Sequence, residues 1–129
     1  MSVVVGYIPT AEGRAALDEA VLQAKFRNSP LVLVNLRKDE ALSDDRFASD
    51  QALSELAEQL TASGIGVEIV SARATSPSDA LIDIAATHEA DLIVIGLRRR
   101  SAVGKLLMGS TALEILTGAH CPVLSVRPQ

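Results

Sequence analysis

Tryptophan is absent from this chain, aromatic residues make up only 2% of it, and cysteine occurs once, at Cys121. A single thiol cannot close an internal disulfide, which excludes a secreted disulfide scaffold and points to a reducing compartment. Cys121 stands beside Pro122 at the head of an apolar run, so burial rather than reactivity is its expected role. Without aromatic rings the core has to be filled by Val, Ile, Leu and Ala, and at 48% hydrophobic residues there are enough of them for one sizeable core. No apolar run approaches the roughly 18 to 20 residues of a membrane span. The opening residues, Met1 to Tyr7, lack the basic stretch, apolar core and small-residue cleavage site of a secretory signal. Excess positive charge is missing too. A net charge of -4 makes the average surface repel phosphate backbones and acidic membranes, so nucleic acid and membrane are excluded as bulk partners and any anion site must be a local exception. The expectation is one cytoplasmic domain over residues 1–129.

What the chain does have is a rhythm. Short runs rich in β-branched residues and leucine recur at Val3 to Ile8, Leu31 to Leu36, Val67 to Val70, Leu92 to Ile95 and Val123 to Val126. Between them apolar residues repeat at helical spacing: Leu17, Ala20, Val21 and Ala24; Leu53, Leu56, Ala57 and Leu60; Leu81, Ile84, Ala85 and His88. A fourth helix reads from about Thr111 to Thr117. Thr10 is placed to cap the first helix, Ser76 with Pro77 and Asp79 to start the third, and Gly64 and Gly66 to stop the second. Right-handed crossovers then put five strands in one parallel, doubly wound sheet with helices on both faces, an α/β fold of Rossmann-like type. Such sheets bind ligands at the carboxyl ends of their strands, where the winding reverses.

Two long connections interrupt the rhythm, Arg37 to about Arg46 and Gly96 to Met108. The first, rich in Asp, Glu and Ser, reads as a solvated link. The second follows an apolar strand, runs Gly96-Leu97-Arg98-Arg99-Arg100-Ser101-Ala102-Val103-Gly104-Lys105 and on to Gly109-Ser110-Thr111, and opens directly into a helix. Glycines let backbone approach a ligand, and Ser110 and Thr111 stand where unpaired helix N–H groups and the positive dipole end would face an anion. Thr111 with Glu114 matches a capping box. Arg98, Arg99, Arg100 and Lys105 all fall here, and no acid intervenes between Asp91 and Glu114. The plainer reading is a solvated basic face beside a capped helix; the concentration of positive charge in an acidic chain favours an anion site.

The stretch from Asp91 to Arg127, with its glycine-rich loop, Gly109-Ser110 and closing Cys121-Pro122-Val123, resembles the carboxyl-terminal signature of the universal stress protein family. The first strand and Arg14-Ala15-Ala16-Leu17 resemble that family as well, so the likeness covers nearly the whole chain. The resemblance implies an adenine nucleotide alpha hydrolase-like fold and, in the nucleotide-binding members, a Gly-x-x-Gly followed after nine residues by Gly-Ser or Gly-Thr. It also implies an acid at the end of the first strand that holds the nucleoside. Here Gly96 and Gly109-Ser110 keep the spacing, Arg99 stands at the second glycine and Ile8 at the acid. The ligand it implies is ATP or another adenine nucleotide, with Mg as the accompanying ion. Its phosphates would lie by Gly96, Arg98, Arg99, Gly109, Ser110 and Thr111, and its nucleoside by Tyr7, Ile8, Thr10 and Asn35. Asn35 reads equally well as a polar residue finishing a strand.

Machinery for catalysis is not evident. A positioned acid, base or nucleophile set is missing, His88 falls on a helical stripe, His120 falls at a turn, and neither shows metal-ligand spacing. Neither a P-loop nor a dinucleotide glycine fingerprint occurs. The chain therefore reads as a regulatory stress-response module responsive to nucleotide rather than an enzyme. The alternatives are a module of the same fold that acts through protein contacts alone, as Arg99 and Ile8 suggest, and a weak nucleotide hydrolase. The last strand lies at a sheet edge, which calls for cover, and the resemblance implies a homodimer through it. A regulatory protein partner is left unnamed.

Overall fold

Alternation of apolar side chains along the strands divides the core in two. The computed structural model describes residues 1–37, 50–73, 76–97 and 109–128. Its elements follow as β1 (Ser2–Gly6), α1 (Ala11–Arg27), β2 (Leu31–Arg37), α2 (Asp50–Ala62), β3 (Val67–Arg73), α3 (Pro77–Thr87), β4 (Ala90–Gly96), α4 (Ser110–Gly118) and β5 (Val123–Val126). The strands pair in parallel in the order β3-β2-β1-β4-β5, the doubly wound sheet expected from the sequence. On one face Val3, Val5, Leu31, Leu33, Leu92 and Val94 meet Leu17 and the small residues Ala16, Ala20 and Ala24 of α1, with Leu53 of α2. On the other, Val4, Val32, Val34, Ile93 and Ile95 meet Leu81 and Ala85 of α3 and Ile115 of α4. Each large side chain so buried contributes about 1.5–3 kcal/mol, which is why sheets covered on both sides can do without aromatic residues.

Helix ends follow their local chemistry. Thr10 caps α1, its Oγ1 accepting from the Gly13 N–H at 3.1 Å, and Asn28 closes the helix in the left-handed region at φ 53°. Ser76 caps α3 with Pro77 in the first turn, and Gly64, at φ +97°, turns the chain after α2. The α1 start is tight: a Cβ on Gly13 would lie 1.8 Å from the Ile8 carbonyl oxygen, so only glycine fits.

The boundaries move in physically readable ways. β1 stops at Gly6 rather than Ile8. The Tyr7 N–H still bonds the Val34 carbonyl at 2.9 Å, but Ile8 turns to accept from the Thr10 N–H at 2.8 Å, and Pro9 has no N–H to continue a ladder. α4 begins one residue earlier than read, at Ser110. The capping box expected of Thr111 and Glu114 does not form: Gly109 is the N-cap, without a side-chain cap, and the Glu114 carboxylate instead accepts from the Ser78 hydroxyl on α3. The connection read as Arg37 to Arg46 and most of that read as Gly96 to Met108, with Arg98, Arg99, Arg100 and Lys105, lie outside the described residues.

Candidate nucleotide site at the sheet switch point

β1 and β4 are neighbours at the centre of the sheet, and the chain leaves them in opposite directions. α1 follows β1 and packs on one face, while α4, the next described element after β4, packs on the other. A crevice at their carboxyl ends follows from that divergence. This edge carries the end of β1 (Gly6, then Tyr7 and Ile8) and the end of β4 (Gly96, then Leu97), and α1 and α4 both present their N-terminal ends to it.

The two motif glycines do different jobs. A Cβ on Gly96 would stand 2.2 Å from the Glu12 carbonyl oxygen, so this glycine lets the first turn of α1 rest directly on the end of β4. Protein backbone, rather than a ligand, fills the space a side chain would take. Among the described residues a Cβ on Gly109 would meet nothing within 4 Å. Gly109 sits at φ -69° in front of α4, exposed, with Ser110 and Thr111 exposed beyond it. The first-turn N–H groups of α4 have no intrahelical acceptor, and the N-cap Gly109 supplies no side-chain cap. An anion is what such an end accepts best.

On the opposite wall Tyr7 is half-buried and packs on the α1-side core, Ile8 is half-buried, and the Thr10 hydroxyl is engaged in capping α1. Asn35 is fully buried, paired in register with Ser71 of β3, and stands two residues before the end of β2 rather than at it. Sequence reading missed two participants at this edge. Glu12, half-buried, stands at this edge because Gly96 lets its backbone rest on the end of β4, a close approach that no spacing announces. Ser78, buried to 1% exposure, bonds Glu114 across 36 residues, a separation at which sequence periodicity carries no signal.

Among the described residues the ionisable groups with displaced pKa values lie at the other end of the sheet. Desolvation, reinforced by the nearby charge of Asp91, pushes the Cys121 thiol up, although Cys121 is half-buried rather than buried as its place at the head of an apolar run led one to expect. The His88 imidazole is pushed up chiefly by its hydrogen bond to the Ile84 carbonyl; partial burial opposes this, and the Glu68 carboxylate adds to it. Among the described residues no group of three or more His, Cys, Asp or Glu side chains is arranged to hold a metal, and no helix is long and apolar enough to cross a membrane.

Over residues 1–127 the sequence matches the model of the Universal stress protein family. The chain belongs to that family. A universal stress protein of Mycolicibacterium smegmatis is 36% identical over 98% of this chain and 97% of its own. The solved structure of a universal stress protein from Archaeoglobus fulgidus superposes with a TM-score of 0.80 at 27% identity, covering 98% of both chains. Another universal stress protein, solved in complex with cAMP, superposes with a TM-score of 0.75 at 26% identity over 100% of this chain and 98% of that one.

Proposed function

We propose that this universal stress protein is a small regulatory module that binds an adenine nucleotide at the carboxyl edge of its sheet, with the phosphates over the N-terminus of α4. The observation that carries the reading is the divergence of the chain at the carboxyl ends of the paired strands β1 and β4, together with the helix start at Gly109, Ser110 and Thr111, which has no side-chain cap at its N-cap. The cAMP complex of a relative with the same fold supports the adenine nucleotide as ligand class. Gly109, Ser110 and Thr111 would receive the phosphates, with Arg98 and Arg99 of the preceding connection adding charge. Gly96 holds the crevice's shape through Glu12, and Tyr7, Ile8 and Thr10 form the nucleoside wall. Asn35, buried, acts from behind that wall. Magnesium, where it travels with the nucleotide, would be held by phosphate oxygens and water rather than by a protein cage.

Nucleotide-stripped protein titrated by calorimetry with ATP, AMP and cAMP, and with sulfate as an unrelated anion, tests this. Saturable binding of an adenine nucleotide with a Kd below about 1 mM, a free energy stronger than about -4 kcal/mol, is expected. No heat with any of the three at millimolar concentration overturns it. In the second reading the fold acts through protein contacts alone. Ile8 favours it, since a half-buried apolar side chain stands where the resemblance implies an acid. In either reading β5 joins two copies into a homodimer.

A further inference from the structure

α4 rests against the sheet through few apolar contacts. It is nine residues long, has Ile115 as its buried residue, and starts without a side-chain cap. A helix so short has little stability of its own, and its packing rests on Ile115 with the partly buried Ala112, and on Ala119 just beyond its end, in the core that also holds Leu81 and Ala85 of α3. Among the described residues, the side-chain hydrogen bond that α4 makes to another element is the one from the Ser78 hydroxyl to the Glu114 carboxylate. Ser78 lies in the first turn of α3 at 1% exposure, and its hydroxyl also stands 3.3 Å from that of Ser76, the α3 cap. The donor is therefore rigidly placed.

Glu114 follows Ser110 by four residues and Thr111 by three, so the three share one face of α4. Pinning Glu114 pins the rotation of the turn whose amides and hydroxyls face the crevice. The same carboxylate places a negative charge one turn below that end, where it opposes a bound phosphate. We infer that Ser78 and Glu114 are positioning residues for the phosphate group of the nucleotide, setting the aim of the α4 N-terminus without touching the ligand. This rests on the nucleotide reading above.

Calorimetric Kd values for ATP and for adenosine, which has no phosphate, test it on the full chain. Ser78→Ala should weaken ATP about five- to tenfold while leaving adenosine within about twofold, because the bond lost aims only the phosphate end. Glu114→Gln retains an acceptor oxygen and drops the charge, and should tighten ATP by roughly twofold. If Ser78→Ala does not fold, Glu114→Ala is compared with Glu114→Gln. Both are uncharged and altered at an exposed position, and the variant without an acceptor should bind ATP more weakly at equal adenosine affinity. Equal losses for ATP and adenosine, or no loss for either, overturn the inference and leave the nucleotide reading standing. A wild-type chain that binds neither ligand fails the nucleotide reading, and this inference with it.

Discussion

At the scale of single residues, Gly96 and Gly109 show how one motif can mix fold and function. Gly96→Ala would drive a methyl group to 2.2 Å from a backbone oxygen that cannot move without displacing α1. The expected cost is at least about 3 kcal/mol, at the upper end of overpacking penalties, read as a lowered urea midpoint. Gly109→Ala meets nothing among the described residues and sits at an ordinary φ, so the loss should be under about 1 kcal/mol, the difference between glycine and alanine as N-cap. Its effect should fall instead on nucleotide affinity, because the added methyl occupies the space in front of α4. A Gly96→Ala protein as stable as wild type would refute the packing role. The sequence placed both glycines in the motif, and no spacing rule separates them: whether the missing side chain faces α1 or open space is a tertiary fact.

At the scale of elements, the strands were legible because sheets covered on both faces demand continuous Val, Ile and Leu, and little else in a chain so poor in aromatic residues supplies a core. The starts of α1 and α3 were legible because Thr10 and Ser76 cap by contacts three residues away. α4 was misread for the opposite reason, since Glu114 has a local partner available in Thr111 and a distant one in Ser78, and the distant bond forms. The other end of α3 carries a similar long-range tie. The His88 Nδ1 bonds the Ile84 carbonyl at 2.9 Å, and its Nε2 meets the Glu68 carboxylate on β3. A carbonyl and a carboxylate both only accept, so the ring can serve both at once only when doubly protonated, a state that the neighbouring helix C-terminus favours. The folded pKa is raised above the ordinary 6.5. The tie therefore contributes its full stability below the unfolded pKa and loses it as pH rises through the folded one. Urea unfolding should show wild type more stable than His88→Gln at about pH 5.5, with the gap narrowing by about pH 8.5. A gap that widens with pH would contradict the cationic tie.

At the scale of the whole molecule, the sheet has an edge at β5, which among the described residues pairs with β4 alone. The Ile93 N–H bonds the Pro122 carbonyl and the Leu97 N–H bonds the Val126 carbonyl. Even-numbered residues of β5 thus turn their backbone towards β4, and Val123, Ser125 and Arg127 turn theirs outward. Beside this edge runs a groove of about 530 Å³ between residues 124–128 and Glu19 and Gln23 of α1. Three residues further along α1 from each of those, Leu22 and Phe26 stand 60% and 89% exposed. Unpaired strand backbone beside exposed large apolar side chains is a surface that proteins normally cover, and a second copy of the same edge offers complementary donors and acceptors. Ser125→Pro removes an outward donor and leaves the bonds to β4 intact, since proline at an outward position of an edge strand breaks no ladder. Wild type should therefore run at twice the chain mass in light scattering at micromolar concentration, and Ser125→Pro at the chain mass with an unchanged circular dichroism spectrum. A wild-type monomer, or a Ser125→Pro protein that remains a dimer, would remove β5 as the joining strand and leave Leu22 and Phe26 to be covered by something other than a second copy.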